Sequence, residues 1–320
     1  MTRYEAEVAA GLAPICTQEI RQLDPQIKFA ASSPSDAVVF SYRGSVTRLL
    51  QLKTVIAVYE VLSFDIPRPK ALLGHQNWQR LLERIEANLG LLGADQYASF
   101  YISAAGSNSS VMQRIKQALA EATGLTNAET EGDLLLRIRP TPNRKRSWDV
   151  LIRLTPRPLA TREWRVCNME GALNASVARA MVYLSQPTQT DQVLNLACGS
   201  GTVLIERQMD ADTSYAIGVD IDPQTLAYAR QNVEASGIVA ELLHADATNL
   251  PFANQQFNRL FADLPFGQLV GSHEDNVSLY PALLTEAARV AQQGAKFVLI
   301  THEVTLMKQL LHEMQDNWRC

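Results

Sequence analysis

From Gln192 onward the chain changes period. Runs rich in β-branched and apolar residues, "QVLNLA" (192–197), "YAIGVD" (215–220), "AELLHAD" (240–246), "NRLFADL" (258–264) and "KFVLITH" (296–302), alternate with helical stretches. A chain that alternates in this way is expected to form a parallel sheet covered by helices on both faces. The first of these strands leads into "ACGSGTVLIE", where Gly199 and Gly201 allow a tight strand-to-helix turn and let a ligand approach the backbone. The helix beginning near Thr202 then points its unbonded N–H groups into the crevice. A full dinucleotide fingerprint would need a small residue where Leu204 stands, so hydride-transfer chemistry is disfavoured.

The second strand ends at Asp220, followed by Ile221, and the third at Asp246, followed by Ala247. A carboxylate at the end of the second strand can accept hydrogen bonds from both hydroxyls of a ribose, and one at the end of the third falls beside the base. Acidic residues gathered at one sheet edge fit a nucleoside that carries positive charge and no phosphate, which describes S-adenosylmethionine. A single strand-end Asp most often caps a helix or turns a loop. The specificity lies in the ordered set: G-x-G, an Asp 19 residues on, and a second Asp 26 residues after that. The expected cofactor-binding residues are Asn195, Ala197, Cys198, Gly199, Gly201, Thr202, Asp220, Ile221, Asp246 and Ala247.

The pattern polar-Leu-Pro-Phe occurs twice, as Asn249 to Phe252 and as Asp263 to Phe266. Ligands of open α/β sheets sit outside the carboxyl ends of the strands where strand order reverses, which in a 3-2-1-4-5 sheet lies between the first and fourth strands. The second copy ends the fourth strand and so faces the glycine turn. The first copy leaves the third strand and is expected to pack a loop. At the second copy, Asp263 and the carbonyl of Leu264 could grip the hydrogens of a planar NH2 group. Pro265 would stiffen the turn and Phe266 would stack a flat base or amide. These four are the expected catalytic residues.

The first 64 residues read as β-α-β-β-α-β, a ferredoxin-like order, and "DIPRPKALLGH" then breaks the pattern. Residues 65–160 form a second α+β unit, 161–187 a linker and helix, and 188–320 the α/β domain. Charge is polarised along the chain: 22 Lys and Arg stand against 17 Asp and Glu in residues 1–187, but 7 against 16 in residues 188–320. Arg137, Arg139, Arg144, Lys145, Arg146, Arg162 and Arg165 belong to a basic run suited either to a polyanion or to solvated strands and a linker. No stretch is long and apolar enough for a membrane span, and the N-terminus has no secretory pattern. Cys16, Cys167, Cys198 and Cys320 are widely spaced, which argues against a structural zinc site or a disulfide framework. A cytoplasmic protein without metal or membrane partner is the expectation.

With "NLACGSGT", "GVDIDP", "HADATNLPF" and "FADLPFG" in this order behind a basic two-part N-terminal region, the sequence resembles the THUMP-domain RNA methyltransferases that make N2-methylguanosine. The resemblance implies an α/β Rossmann-like methyltransferase domain preceded by a ferredoxin-like domain and a THUMP domain, the latter capturing the 3′ acceptor end of tRNA. It also implies S-adenosylmethionine as cofactor, structured RNA, above all tRNA, as partner, and guanine N2 as the methyl acceptor. "GALNASVARAM" is similar to that family's A-P-L-x-E segment, making Asn174 a candidate for touching cofactor or substrate.

Two features depart from the family pattern. Asn195-Leu196-Ala197-Cys198 stands where D-P-x-C is usual, and Cys320 falls about where the family's terminal hairpin would start, an expected open or partner-covered sheet edge. Two rival functions are methylation of a protein glutamine amide and RNA binding by an inactive methyltransferase domain.

Overall fold

A computed structural model describes residues 1–210, 213, 215–264 and 273–319. The chain divides into two compact units, Met1–Thr161 and Arg162–Cys320. The first contains β1 (Thr2–Glu7), α1 (Ala13–Leu23), β2 (Lys28–Phe29), β3 (Ala37–Tyr42), α2 (Val46–Leu49), β4 (Ala57–Phe64), α3 (His75–Leu92), β5 (Ser99–Ala104), α4 (Ser110–Thr123), β6 (Thr126–Asn127), β7 (Leu134–Pro140) and β8 (Trp148–Arg153).

The β-α-β-β-α-β order is present over residues 2–64, but the expected boundary at 64/65 does not separate two sheets. All eight strands form one sheet, ordered β2-β3-β1-β4-β8-β7-β5-β6. β4 pairs antiparallel with β8, from Tyr59 opposite Arg153 to Phe64 opposite Trp148. The prolines after Phe64 end β4 without ending the sheet. β4 is buried along nearly its whole length, and Leu62, Phe64 and Ile66 share a core with Leu81, Ile85, Phe100 and Val150.

Gly132, just before β7, lies against the backbone of β5. A Cβ there would come within 2.4 Å of the Phe100 carbonyl carbon. Backbone cannot move aside as a side chain can, so Gly132→Ala must displace the β5–β7 pairing. It is expected to destabilise this unit by roughly 1–3 kcal/mol, the usual cost of overpacking, read as a lower urea midpoint with an unchanged slope.

The second unit contains α5 (Ala175–Ser185), β9 (Gln192–Leu196), α6 (Thr202–Gln208), β10 (Tyr215–Asp220), α7 (Pro223–Ser236), β11 (Glu241–His244), β12 (Phe257–Asp263), α8 (His273–Val290), β13 (Ala291–Ile300) and α9 (Val304–Glu313). Its strands are parallel in the order β11-β10-β9-β12-β13, which is 3-2-1-4-5 in chain order within the domain. Side chains alternate across the sheet as a period of two requires. Val193, Ala216 and Phe261 pack with Ala178, Met181 and Val182 of α5 and with Val203 and Leu204 of α6. Leu194, Leu196, Ile217, Val219 and Leu260 meet Tyr280, Leu284 and Val290 of α8 and Met307 and Leu310 of α9.

Leu204 does not hold its helix off the sheet. A Cβ on Gly218 of β10 would lie only 3.0 Å from Leu204 Cδ2, so the missing side chain on the strand makes the room that a glycine in the helix would otherwise provide. α7 is capped in the ordinary way. The Asp222 carboxylate accepts from the N–H groups of Gln224 and Thr225, Pro223 opens the helix, and left-handed Gly237 closes it.

Candidate active site

One cavity of about 330 Å3 opens at the carboxyl ends of β9, β10 and β12 in the second unit. It is lined by Met169 to Leu173, Asn195, Ala197 to Ser200, Thr202, Val203, Asp220 to Asp222, Thr225, Ala245 to Ala247, Asp263, Leu264, Leu279 and Leu283. Of the expected site residues, Asn195, Ala197, Cys198, Gly199, Thr202, Asp220, Ile221, Asp246, Ala247, Asp263 and Leu264 therefore meet in one place. Its lining among the described residues holds carboxylates (Glu170, Asp220, Asp222, Asp246 and Asp263) and no Lys, Arg or His. Such a wall favours a cation and opposes phosphates.

The turn after β9 is built by backbone conformation. Ala197 (φ 44°), Gly199 (φ 56°) and Gly201 (φ 82°) are all left-handed, and the Gly201 N–H closes the turn on the Cys198 carbonyl. Gly201 is not in the cavity lining. Its place is to start α6 against Ala229, whose Cβ is 3.5 Å from where a Gly201 Cβ would be. Gly199 does face the cavity, and its N–H donates to Asp220 Oδ2 at 2.9 Å. Asp220 Oδ1 accepts from the Asp222 N–H, so the carboxylate is held from both sides before any ligand arrives. Asp246 Oδ1 is similarly engaged by the backbone N–H and hydroxyl of Thr248.

Asn195 is buried, donates weakly to the carbonyls of Leu196 and Phe261, and its Oδ1 has no hydrogen-bond partner among the described residues. A buried acceptor in an anionic wall fits an ammonium donor on a ligand. Burial drives the Cys198 thiol upward, with Asp220 adding to the effect, so this sulfur stays protonated and is no nucleophile. Burial also pushes the Asp263 carboxyl up to about 6, while nearby His302 pulls it the other way. Leu264 is anchored through its N–H to the Ile300 carbonyl. Pro265 and Phe266 lie outside the described residues.

Asn174 is placed differently from the expectation. It is the N-cap of α5, its side-chain oxygen accepting from the N–H and hydroxyl of Ser176, and its neighbour Leu173 takes the place in the cavity wall. The first Leu-Pro-Phe copy packs a loop: Leu250 is buried, Phe252 sits edge-on to Phe257, and Arg289 donates to the carbonyls of both Leu250 and Phe252.

The basic run is less free than its sequence suggests. Arg137 pairs with Glu7 at 2.9 Å and lies over the Tyr59 ring, Arg139 pairs with Glu5, and Arg144 pairs with Asp65 at 3.2 Å. In the second unit Arg162 pairs with buried Glu206 at 2.7 Å, and Arg165 donates to the Leu173 carbonyl and Thr202 Oγ1. Within this set, only Lys145 and Arg146 are exposed with no partner among the described residues. A separate concavity in the first unit, about 490 Å3 in volume, is lined by exposed Arg68, Lys70 and Arg114 beside Ala71, Leu73 and Gly74. Arg114 lies far in sequence from Arg68 and Lys70, so no charge run reveals the three together.

A parallel 3-2-1-4-5 sheet with a glycine turn after its first strand and carboxylates ending its second, third and fourth defines the second unit as a Rossmann-like methyltransferase domain. Residues 162–320 match the model of the UPF0020 family, described as RMKL-like, methyltransferase domain. The chain is 29% identical over 161 residues to the tRNA (guanine(6)-N(2))-methyltransferase THUMP3 of Mus musculus, covering 46% of this chain and 32% of that protein. It is 31% identical over 145 residues to the tRNA (guanine(6)-N2)-methyltransferase of Thermus thermophilus, covering 45% of this chain and 43% of that protein. The matches thus span less than half the length of either relative. The crystal structure of TrmN from Thermus thermophilus has a similar fold at 24% identity, with a TM-score of 0.76 over 97% of this chain and 92% of that one.

Among the described residues, no helix is long and apolar enough to cross a membrane.

Proposed function

We propose that this protein transfers a methyl group from S-adenosylmethionine to the exocyclic N2 amine of a guanosine in tRNA. The observation that carries this is the mostly buried Asp263 carboxylate in the wall of the same cavity that the glycine turn, Asp220 and Asp246 line. When bound, the cofactor supplies an electrophilic methyl group on a sulfonium. The protein's own groups do the rest. Asp220 would accept the ribose hydroxyls, Asp246 would sit beside the base, and Asn195 would take the ammonium of the amino-acid end.

An exocyclic base amine is a poor nucleophile because its lone pair is delocalised into the ring. Asp263 and the Leu264 carbonyl would hold its hydrogens and orient the nitrogen, and Asp263 would take the proton the amine loses when the methyl group passes to it, the sulfonium leaving as the neutral thioether of S-adenosylhomocysteine. Pro265 would hold the carbonyl direction and Phe266 would stack the base. The chain's similarity to proteins named tRNA guanine-N2 methyltransferases supports the choice of acceptor.

Residues 1–64 and 65–160 act as the ferredoxin-like and THUMP parts of an RNA-capturing unit. Lys145 and Arg146, with Arg68, Lys70 and Arg114, supply its phosphate contacts. Binding should therefore weaken steeply as salt rises.

The test is transfer of labelled methyl to unmodified tRNA followed by nucleoside analysis, with N2-methylguanosine as the expected product. Label recovered on a protein glutamine instead, or salt-dependent tRNA binding with no transfer at all, would overturn the assignment. The rate should also carry one ionisation. Because Asp263 works as a carboxylate and titrates near 6, single-turnover methylation is expected to rise about tenfold per pH unit below that value and to level off above it. A rate flat from pH 5 to 8 would remove Asp263 as the proton acceptor.

A further inference from the structure

Residues 166–174 contain no helix or strand, yet Met169 to Leu173 form one wall of the cofactor cavity. A wall without its own backbone ladder needs outside anchors, and two side chains provide them. Asn232, on α7, is wholly buried. Its Oδ1 accepts from the Cys167 N–H at 2.9 Å, and its Nδ2 donates to the Cys167 carbonyl at 3.1 Å. The same Nδ2 donates to the carbonyl of Ser200, in the glycine turn, at 3.1 Å.

Arg165 repeats the arrangement at the other end of the strap. Its Nη2 donates to the Leu173 carbonyl at 2.8 Å and to Thr202 Oγ1 at 2.9 Å, while the guanidinium lies 5.4 Å from the centre of the Trp164 ring. Burial lowers the pKa of this guanidinium, a sign of how far it has been drawn out of water. Each of these side chains thus ties the strap to the glycine turn. Ser200 and Thr202 line the same cavity as the strap's own residues.

We propose that Asn232 and Arg165 are positioning residues that set the width of the cofactor slot by clasping the 166–173 strap to the glycine turn. Neither lines the cavity, so both act through the backbone they hold. This rests on the methyltransferase reading of the cavity. Removing the Asn232 amide leaves Cys167 and Ser200 with unmatched polar groups, which recover partners by letting water in and the strap out. The slot then loses its preformed width, and ligand binding must supply the ordering.

Three measurements on the full chain test this. In the free protein, deuterium exchange at the Cys167 amide should quicken at least tenfold in Asn232→Ala. By calorimetry, S-adenosylhomocysteine should bind Asn232→Ala at least tenfold more weakly than the parent. In methyl-transfer kinetics the cofactor KM should rise by the same factor, with kcat and the KM for tRNA within threefold of the parent. Arg165→Met serves as an independent variant with the same expected pattern at a different anchor, should Asn232→Ala fold poorly. Arg179→Ala, which removes the ion pair with Asp210, is the stability control and should leave nucleoside affinity unchanged.

Unchanged exchange at Cys167 in Asn232→Ala would overturn the clasp. Faster exchange with unchanged nucleoside affinity would overturn its role in setting the slot, while leaving the methyltransferase reading intact. A parent protein that binds no S-adenosylhomocysteine would instead sink the methyltransferase reading, and this proposal with it.

Discussion

Asp263→Ala is expected to slow methyl transfer by on the order of 10³-fold, while S-adenosylhomocysteine binds within about threefold of the parent. The loss combines two effects on the acceptor: the amine is no longer turned toward the methyl carbon, and its proton has no nearby base. Cofactor affinity should survive because, in the proposed site, Asp220, the glycine turn and Asn195 would hold the other parts of that ligand. Asp263→Asn separates the effects, since the amide keeps one acceptor oxygen but cannot take the proton. It should recover part of the positioning and none of the pH dependence.

The same residue makes a stability prediction of opposite sign. Burial raises the Asp263 pKa to about 6 in the folded chain, so the folded state holds this proton more tightly than the unfolded state does. The contribution is fully present below about pH 4, where the unfolded carboxyl is also protonated, and is lost as pH rises through 6. Above pH 7, Asp263→Asn is therefore expected to melt at a higher temperature than the parent while being nearly inactive. Such a trade is common where a site keeps a charge out of water. A lower melting temperature for Asp263→Asn at pH 8, measured by calorimetry, would mean that this carboxylate is well compensated in the fold.

Asp220→Ala should weaken S-adenosylhomocysteine binding by about 100-fold. The estimate takes the two ribose hydroxyls as donors to a charged acceptor, at the lower end of about 1.5–3 kcal/mol each, where 1.4 kcal/mol is a factor of ten. A second loss follows from the hydrogen bonds of this carboxylate. Asp220 Oδ2 holds the Gly199 N–H at 2.9 Å, and Oδ1 holds the N–H of Asp222, the cap of α7. The alanine variant therefore also loosens the turn. Asp220→Asn keeps one acceptor oxygen and should fall between the two. Binding within threefold of the parent by calorimetry would show that the ribose lies elsewhere.

Much of the second unit was legible because its signals are local. Strand period is read within one short run, the two glycines are two residues apart, and each carboxylate lies at or just beyond the end of its own strand. The parallel sheet and its carboxyl edge follow from them, and Asp220, Asp246 and Asp263 are found at that edge. The two Leu-Pro-Phe copies were separable for the same reason, since only one ends a strand beside the glycine turn. How Leu204 is accommodated is not legible in the sequence: the space it needs comes from Gly218, on another strand, and a pairwise fit across elements has no period to betray it.

The first unit was less legible. Local punctuation after Phe64 ends a strand, but which strand lies next to it is settled by pairing with Trp148 to Arg153, far along the chain. The basic run shows the same limit. Arg137 and Arg139 look like a phosphate surface until β1 brings Glu7 and Glu5 beside them, while Arg68, Lys70 and Arg114 share a concavity that no run of charge announces. Asn174 resembled a ligand contact by motif and turned out to be a helix cap, because the two demands select the same short polar side chain.

By itself, then, the sequence determined the parallel α/β architecture of residues 188–320, the place of its crevice and the acidic character of that crevice, since each depends on periodicity and on residues at strand ends. Only the tertiary structure decided that residues 1–161 share one sheet, which cations are already paired, and that Asn232 and Arg165 clasp a strap to the glycine turn. Those outcomes depend on which groups distant in sequence come within hydrogen-bonding range. A buried amide or guanidinium must satisfy its donors wherever the fold happens to place acceptors.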